Sequence, residues 1–212
     1  MTETGDRRRA RGQRSREAVL EHAVRLGSVD GLDGLSLGHL ASATGISKSG
    51  LFAHWKDKEE LQLDTVAWAR QQWVDHIVRP AMARPNGVRR LFALHETRLR
   101  FYADRVLPGG CFFTAVYAEL DDRPGPVRDR ITEALEAWFD LLRRTVVAAV
   151  DDGELPTDVD PGRLALEVEA LGAIVVTHTQ LLSGLDVYAM SRRAVLERLR
   201  ALSTEPTLLP KE

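Results

Sequence analysis

The sequence predicts an all-α protein, with an N-terminal three-helix helix-turn-helix domain and a C-terminal helical bundle. Three observations carry that prediction. Apolar residues return at intervals of three and four, as Ile131, Leu135, Trp138, Leu142 and Val146 do, which is the period of a helix with one buried face. Capping residues and glycines divide the stretch before residue 60 into short helical pieces. No stretch alternates with a period of two over β-branched side chains, and no internal repeat is present.

Residues 1–13 are polar and basic and read as a flexible arm. Ser15 opens the first helix, with Val19, Leu20, Ala23, Val24 and Gly27 on one face, and Asp30–Gly34 closes it. Ser36 caps the second, which buries Leu37, Leu40 and Ala41 and stops at Gly45, a residue free to turn left-handed. Ser47 caps the third, expected through His54, with Ile46 and Leu51 spaced as a hydrophobic staple. Asp57 caps a fourth that runs toward Arg79, where Pro80 should end it. Longer helices follow over Val88–Val106, Phe112–Leu120, Val127–Asp151, Asp160–Leu182 and Ala189–Ser203. A loop at Leu107–Gly110 and a turn at Asp121–Pro126 separate the first three of these.

Composition narrows the function. Hydrophobic residues at 44% and charged residues at 28% suit a globular chain rather than a disordered one. The lone cysteine, Cys111, excludes an intramolecular disulfide and fits a reducing cytoplasm. The apolar runs Leu171–Val176 and Val146–Val150 fall well short of the roughly 20 residues that span a bilayer, so no membrane segment is expected. No apolar stretch follows the arginine-rich start, so no secretory leader is expected either. The total charge of −2 hides an asymmetry: residues 7–56 hold nine basic and four acidic side chains, a net +5, which leaves −7 elsewhere. A basic head on an acidic body fits a head that meets a polyanion, or equally a solvated charged face.

The segment Leu35–Leu61 is the most specific feature. It holds Ser36, the pair Leu40-Ala41, the run Gly45-Ile46-Ser47-Lys48, then Phe52, His54-Trp55 and Lys58-Glu59-Glu60-Leu61. With its surroundings over residues 15–61 it resembles the DNA-binding domain of TetR-type transcription regulators. The resemblance implies that Ser36, Ser47, Lys48, Ser49, Gly50, Phe52, His54 and Lys58 face double-stranded DNA. Lys48 and Ser49 would stand on the first turn of the recognition helix, which enters the major groove. Gly50 costs about 1 kcal/mol of helix propensity, explained by close approach to DNA or by simple tolerance. Phe52 stands where most relatives carry Tyr, so a phosphate contact is lost. Trp55 replaces a Phe and reads as core. The arginines from Arg7 to Arg16 would add phosphate contacts or form a solubilising tail.

For the body the resemblance implies an effector-binding and dimerisation domain. The division is then residues 1–13 arm, 14–60 helix-turn-helix, 61–204 effector and dimer domain, and 205–212 tail. Gly109-Gly110-Cys111-Phe112-Phe113 and Ala118-Glu119-Leu120 resemble a subset with a Gly-Cys start to the sixth helix. Leu164, Val168, Leu171, Val175 and Leu182, with Val195 and Leu199, are the expected homodimer interface, from intervals of four and three. A palindromic site read by two recognition helices independently calls for a dimer. Large or polar side chains on apolar faces include Trp73, Arg98, Phe101, Tyr102 and Tyr117; the effector contacts expected among such groups are Trp68, His95, Phe113, Trp138 and His178. Cys111 is either a thiol sensor or a buried structural residue.

An enzyme is the competing class. No metal-ligand spacing, phosphate-binding glycine loop or nucleophile elbow occurs, so no catalytic residue, metal site or cofactor is assigned. The expectation is a repressor released from a palindromic operator by a partly apolar small molecule. An activator that senses a small molecule or redox state with the same architecture is the alternative.

Overall fold

The computed structural model describes residues 3–120 and 124–211. Its helices are α1 (Glu3–Asp30), α2 (Leu37–Thr44), α3 (Lys48–Phe52), α4 (Lys58–Trp73), α5 (Arg79–Met82), α6 (Val88–Ala103), α7 (Phe112–Leu120), α8 (Pro126–Asp151), α9 (Pro161–Leu181) and α10 (Val187–Leu202). A π-helical turn, Val74–Val78, joins α4 to α5, and no strand occurs among the described residues. The fold is all-α, as the periodicity requires.

Several boundaries depart from expectation: α3 ends at Phe52 rather than His54 and α6 at Ala103 rather than Val106, and two differ further. Helix α1 begins at Glu3 rather than near Ser15, so most of the basic arm is helical. Its Glu, Arg, Ala and Gln residues are good helix formers with no proline among them, and low apolar content argues only against burial. Met1 and Thr2 of the predicted arm, Asp121–Arg123 of the predicted turn and Glu212 of the tail lie outside the described residues. Pro80 does not end the fourth helix. The chain passes through the π turn, where Arg79 N–H bonds back to Val74 O, and Pro80 sits in the first turn of α5. A proline there lacks a donor that would be unpaired anyway.

The described chain forms two compact units: Met1–Gln71 with Leu107–Ile131, and Gln72–Val106 with Thr132–Glu212. The expected boundary between residues 60 and 61 therefore does not separate them, because α7 joins the helix-turn-helix. Gly27 lies under the Phe112 ring, and Gly109 N–H donates to Ser28 Oγ at 3.1 Å. The core of this unit holds Val19, Leu20 and Val24 of α1 with Leu40, Leu51, Trp55, Leu61 and Val116.

In the other unit, α6, α9 and α10 pack together. Leu164, Val168, Val175, Val195 and Leu199, expected at a dimer interface, are buried within the chain itself, and Leu171 is half-buried; of the predicted set Leu182 is exposed. The four-three spacing picked the most apolar stripe, and that stripe faces the core. A second apolar face remains on α9: Leu166, Ile174 and Leu181 are 58%, 43% and 74% exposed. With 21 residues and a mean hydropathy of 1.2, α9 is also long and apolar enough to cross a bilayer, which no short apolar run revealed. Its packing on α6 and α10 gives it a core role that accounts for the same composition.

Candidate nucleic-acid interface

The helix-turn-helix is built from its caps. Ser36 Oγ accepts from His39 N–H at 3.0 Å and starts α2. Gly45 ends it with φ of 69°, a left-handed turn open to glycine without strain. Ser47 Oγ then accepts from Gly50 N–H at 3.1 Å and starts α3. Leu51 and Trp55 are buried, and Trp55 Nε1 donates to Asp64 at 2.6 Å, so the back of α3 is anchored to α4.

The opposite face is free. Ser47, Lys48 and Ser49 are exposed on the first turn, and Phe52 is 54% exposed one turn later. Phe52 thus presents much of its ring to solvent, as contact with a thymine methyl requires. His54 is half-buried beside Trp55, with ring centroids 5.5 Å apart; it follows α3, which ends at Phe52. Gly50 has a local reason: a Cβ would come 2.9 Å from Ile46 Cγ2. Lys58 Nζ donates to Asp33 O at 2.9 Å, so it braces a loop besides any phosphate it meets. Asp57 Oδ1 accepts from Glu60 N–H at 2.9 Å and Glu60 accepts from Lys56 N–H at 2.8 Å, two bonds that fix the start of α4.

Arg16, read as part of the arm, turns inward. It pairs with Asp64 and lies 5.6 Å from the Trp55 ring centroid, tying α1 to α4 behind the recognition helix.

The five side chains expected around an effector do not come together in one unit. Trp68 and Phe113 belong to the first; Trp68 Nε1 donates to Glu21 at 3.2 Å, and Phe113 stacks near Phe112 and Tyr117. His95, Trp138 and His178 belong to the second. Trp138 Nε1 donates to Glu169 at 2.6 Å, and Glu169 takes the Arg98 guanidinium at 2.7 Å. Trp73, Tyr102 and Trp138 surround Arg98 with ring centroids 5.4–5.8 Å from it. Burial works against the Arg98 charge, yet the oxygens of Tyr102 and Glu169 outweigh it and raise its pKa. Gly172 leaves room for this group, since a Cβ there would approach Arg98 to 2.7 Å. Cys111 is buried, which favours the structural reading of that thiol. A cleft of about 160 Å³ beside the π turn is lined by His76, Pro80, Thr97, Arg100, Phe101 and Asp104, of which the sequence marks only Pro80, as a helix stop, and Phe101.

Residues 87–195 match the family model described as tetracyclin repressor-like, C-terminal domain, and residues 19–64 match that of bacterial regulatory proteins, tetR family. The chain belongs to the TetR family. This TetR-family chain is 39% identical over 49 residues to the HTH-type transcriptional regulator AcrR of Shigella flexneri, a match spanning 23% of either protein. A TetR transcriptional regulator from Chloroflexus aurantiacus has the same fold, with a TM-score of 0.84 at 24% identity over 92% of this chain and 98% of that one. So does AibR, solved in complex with isovaleryl coenzyme A and operator DNA, with a TM-score of 0.69 at 21% identity over 85% and 96%. The TetR-family chain is accordingly a transcription regulator of the helix-turn-helix class, not an enzyme.

Proposed function

We propose that this regulator binds a palindromic double-stranded operator as a homodimer and is released from it by a small-molecule effector. The observation that carries the reading is the exposed first turn of α3, Ser47-Lys48-Ser49, on a helix fixed from behind by Leu51 and Trp55. Ser36 and Lys58, at the starts of α2 and α4, stand as further phosphate contacts, and helix N-termini favour anions. His54 and Gly50 complete the surface. Binding to a chromosomal operator gives the protein a cytoplasmic location.

The exposed apolar face of α9 supports a homodimer, with Leu166, Ile174, Leu181 and Leu182 meeting a second copy in place of the buried stripe. Among the effector candidates His178 comes first: its Nδ1, like that of His95, is buried and takes no hydrogen bond among the described residues, but His178 is half-buried where His95 is sealed. Trp68, His95, Phe113 and Trp138 follow. AibR's complex with a coenzyme A thioester supports a small-molecule effector as a class. Helix α4 starts beside the recognition helix and carries the chain from one compact unit into the other, so it is the element through which effector binding shifts the DNA-bound population.

Lys48→Ala is the test. On sites selected by the wild-type protein, it should weaken binding at least about tenfold while helical content and dimerisation persist, and the salt slope should fall by about one if Lys48 meets a phosphate. Unchanged binding would remove α3 as the reading helix.

A further inference from the structure

Glu119, near the C-terminal end of α7, reaches the loop between α1 and α2. Its Oε2 accepts from Leu32 N–H at 2.7 Å and its Oε1 accepts from Asp33 N–H. The carbonyl side of the same two residues is held by α4. Gln62 Nε2 donates to Leu32 O at 3.0 Å, and Lys58 Nζ donates to Asp33 O at 2.9 Å. Four backbone polar groups of a two-residue segment are therefore fixed by side chains from two other helices.

Gly31 completes the arrangement. Its φ of +71° is a left-handed conformation, and a Cβ there would fall inside the space of the Glu119 carboxylate. Three residues beyond Asp33, Ser36 caps α2, so the loop sets where α2 and then α3 begin. The other end of α7 is seated on α1 through the Gly109–Ser28 bond and the Phe112 ring over Gly27. Residue 119 lies in the stretch matched by the C-terminal-domain model, whereas residues 32 and 33 lie in that of the DNA-binding model.

We propose that Glu119 is a positioning residue for operator binding: its carboxylate clamps the Leu32 and Asp33 amides and holds the recognition helix in register with α7. The proposal rests on the DNA-binding reading above. The chemistry calls for a carboxylate, because two oxygens accept two N–H groups at once; an amide would turn an NH₂ toward one of them. Any movement of α7 is then passed to the loop through two charge-assisted bonds.

The experiment uses the full-length protein and an operator selected from random DNA by the wild type. Glu119→Gln keeps the shape and removes one acceptor; Glu119→Ala removes both. In Glu119→Gln the Leu32 and Asp33 amides should exchange at least about tenfold faster, while amides of α6 and α9 keep wild-type rates. Operator Kd should rise about tenfold, and further in Glu119→Ala. Wild-type affinity in both variants would overturn the proposal. So would a loss of affinity in which α6 and α9 amides speed up equally, since that marks general destabilisation. Lys48→Ala serves as the control, losing operator binding with the Leu32 and Asp33 amides unchanged. Should Lys48→Ala bind as wild type, the DNA-binding reading falls instead, and the exchange rates still report on the clamp.

Discussion

His95 is sealed inside its unit, where Ser191 Oγ donates to Leu171 O at 2.6 Å and lies 3.3 Å from His95 Nε2. With the Ser191 proton spent on that carbonyl, Nε2 must be the donor, so the ring is the neutral Nε2–H tautomer. Burial first, then the nearby Arg98 charge, lowers the His95 pKa from 6.5 to about 3, against the Ser191 bond that raises it. Below pH 6.5 the unfolded chain therefore binds a proton that the folded chain refuses. Stability is complete above that pH and is lost as pH falls toward 3, at up to about 1.4 kcal/mol per unit. Urea unfolding at pH 7.5 and 5.5 should show this loss in the wild type and a smaller one in His95→Leu; equal losses would contradict it. The sequence marked His95, Arg98 and Trp138 as polar groups on apolar faces, and each is buried. Their purpose was hidden because Glu169, which joins Arg98 to Trp138, lies 71 residues from Arg98 along the chain.

Helices were legible wherever the signals that start and stop them are local. Ser36, Ser47 and Asp57 each accept from an N–H three positions on, and Gly45 turns left-handed, so the starts of α2, α3 and α4 and the end of α2 follow from spacing alone. The start of α1 did not follow, because a polar helix and a polar arm share one composition and differ only in propensity. Pro80 misled for a related reason: a π turn realigns the backbone ahead of it, and no side chain announces that turn. The attachment of α7 to α1 depends on Gly109, which a single sequence presents only as part of a loop. A Cβ at Gly109 would run into the Ser28 carbonyl. Gly109→Ala should cost about 2 kcal/mol or more by denaturant midpoint, within the range for overpacking. A midpoint equal to that of the wild type would mean that α7 is not seated there.

At the scale of the whole molecule, charge and apolar surface divide the labour. The basic excess gathers in residues 7–56, which include the exposed turn of α3, and a large apolar surface is left open on α9. Burial of Leu166, Ile174 and Leu181 against a second copy would bring about 25 cal/mol for each Å² of apolar area covered. The sequence made the family and the reading head plain, since short-range motifs carry both. Most of the expected dimer stripe is buried within the chain, because periodicity reports which face is apolar and not which neighbour covers it. Two chains joined through α9 would present two recognition helices related by a two-fold axis, and such a pair reads an inverted repeat. Selection of bound sites from random double-stranded DNA by the purified full-length protein tests that claim most directly. The account predicts enrichment of a palindrome bound by two chains, with affinity falling steeply as salt rises. Failure to enrich any sequence, or enrichment of a single asymmetric half-site bound by one chain, would contradict it.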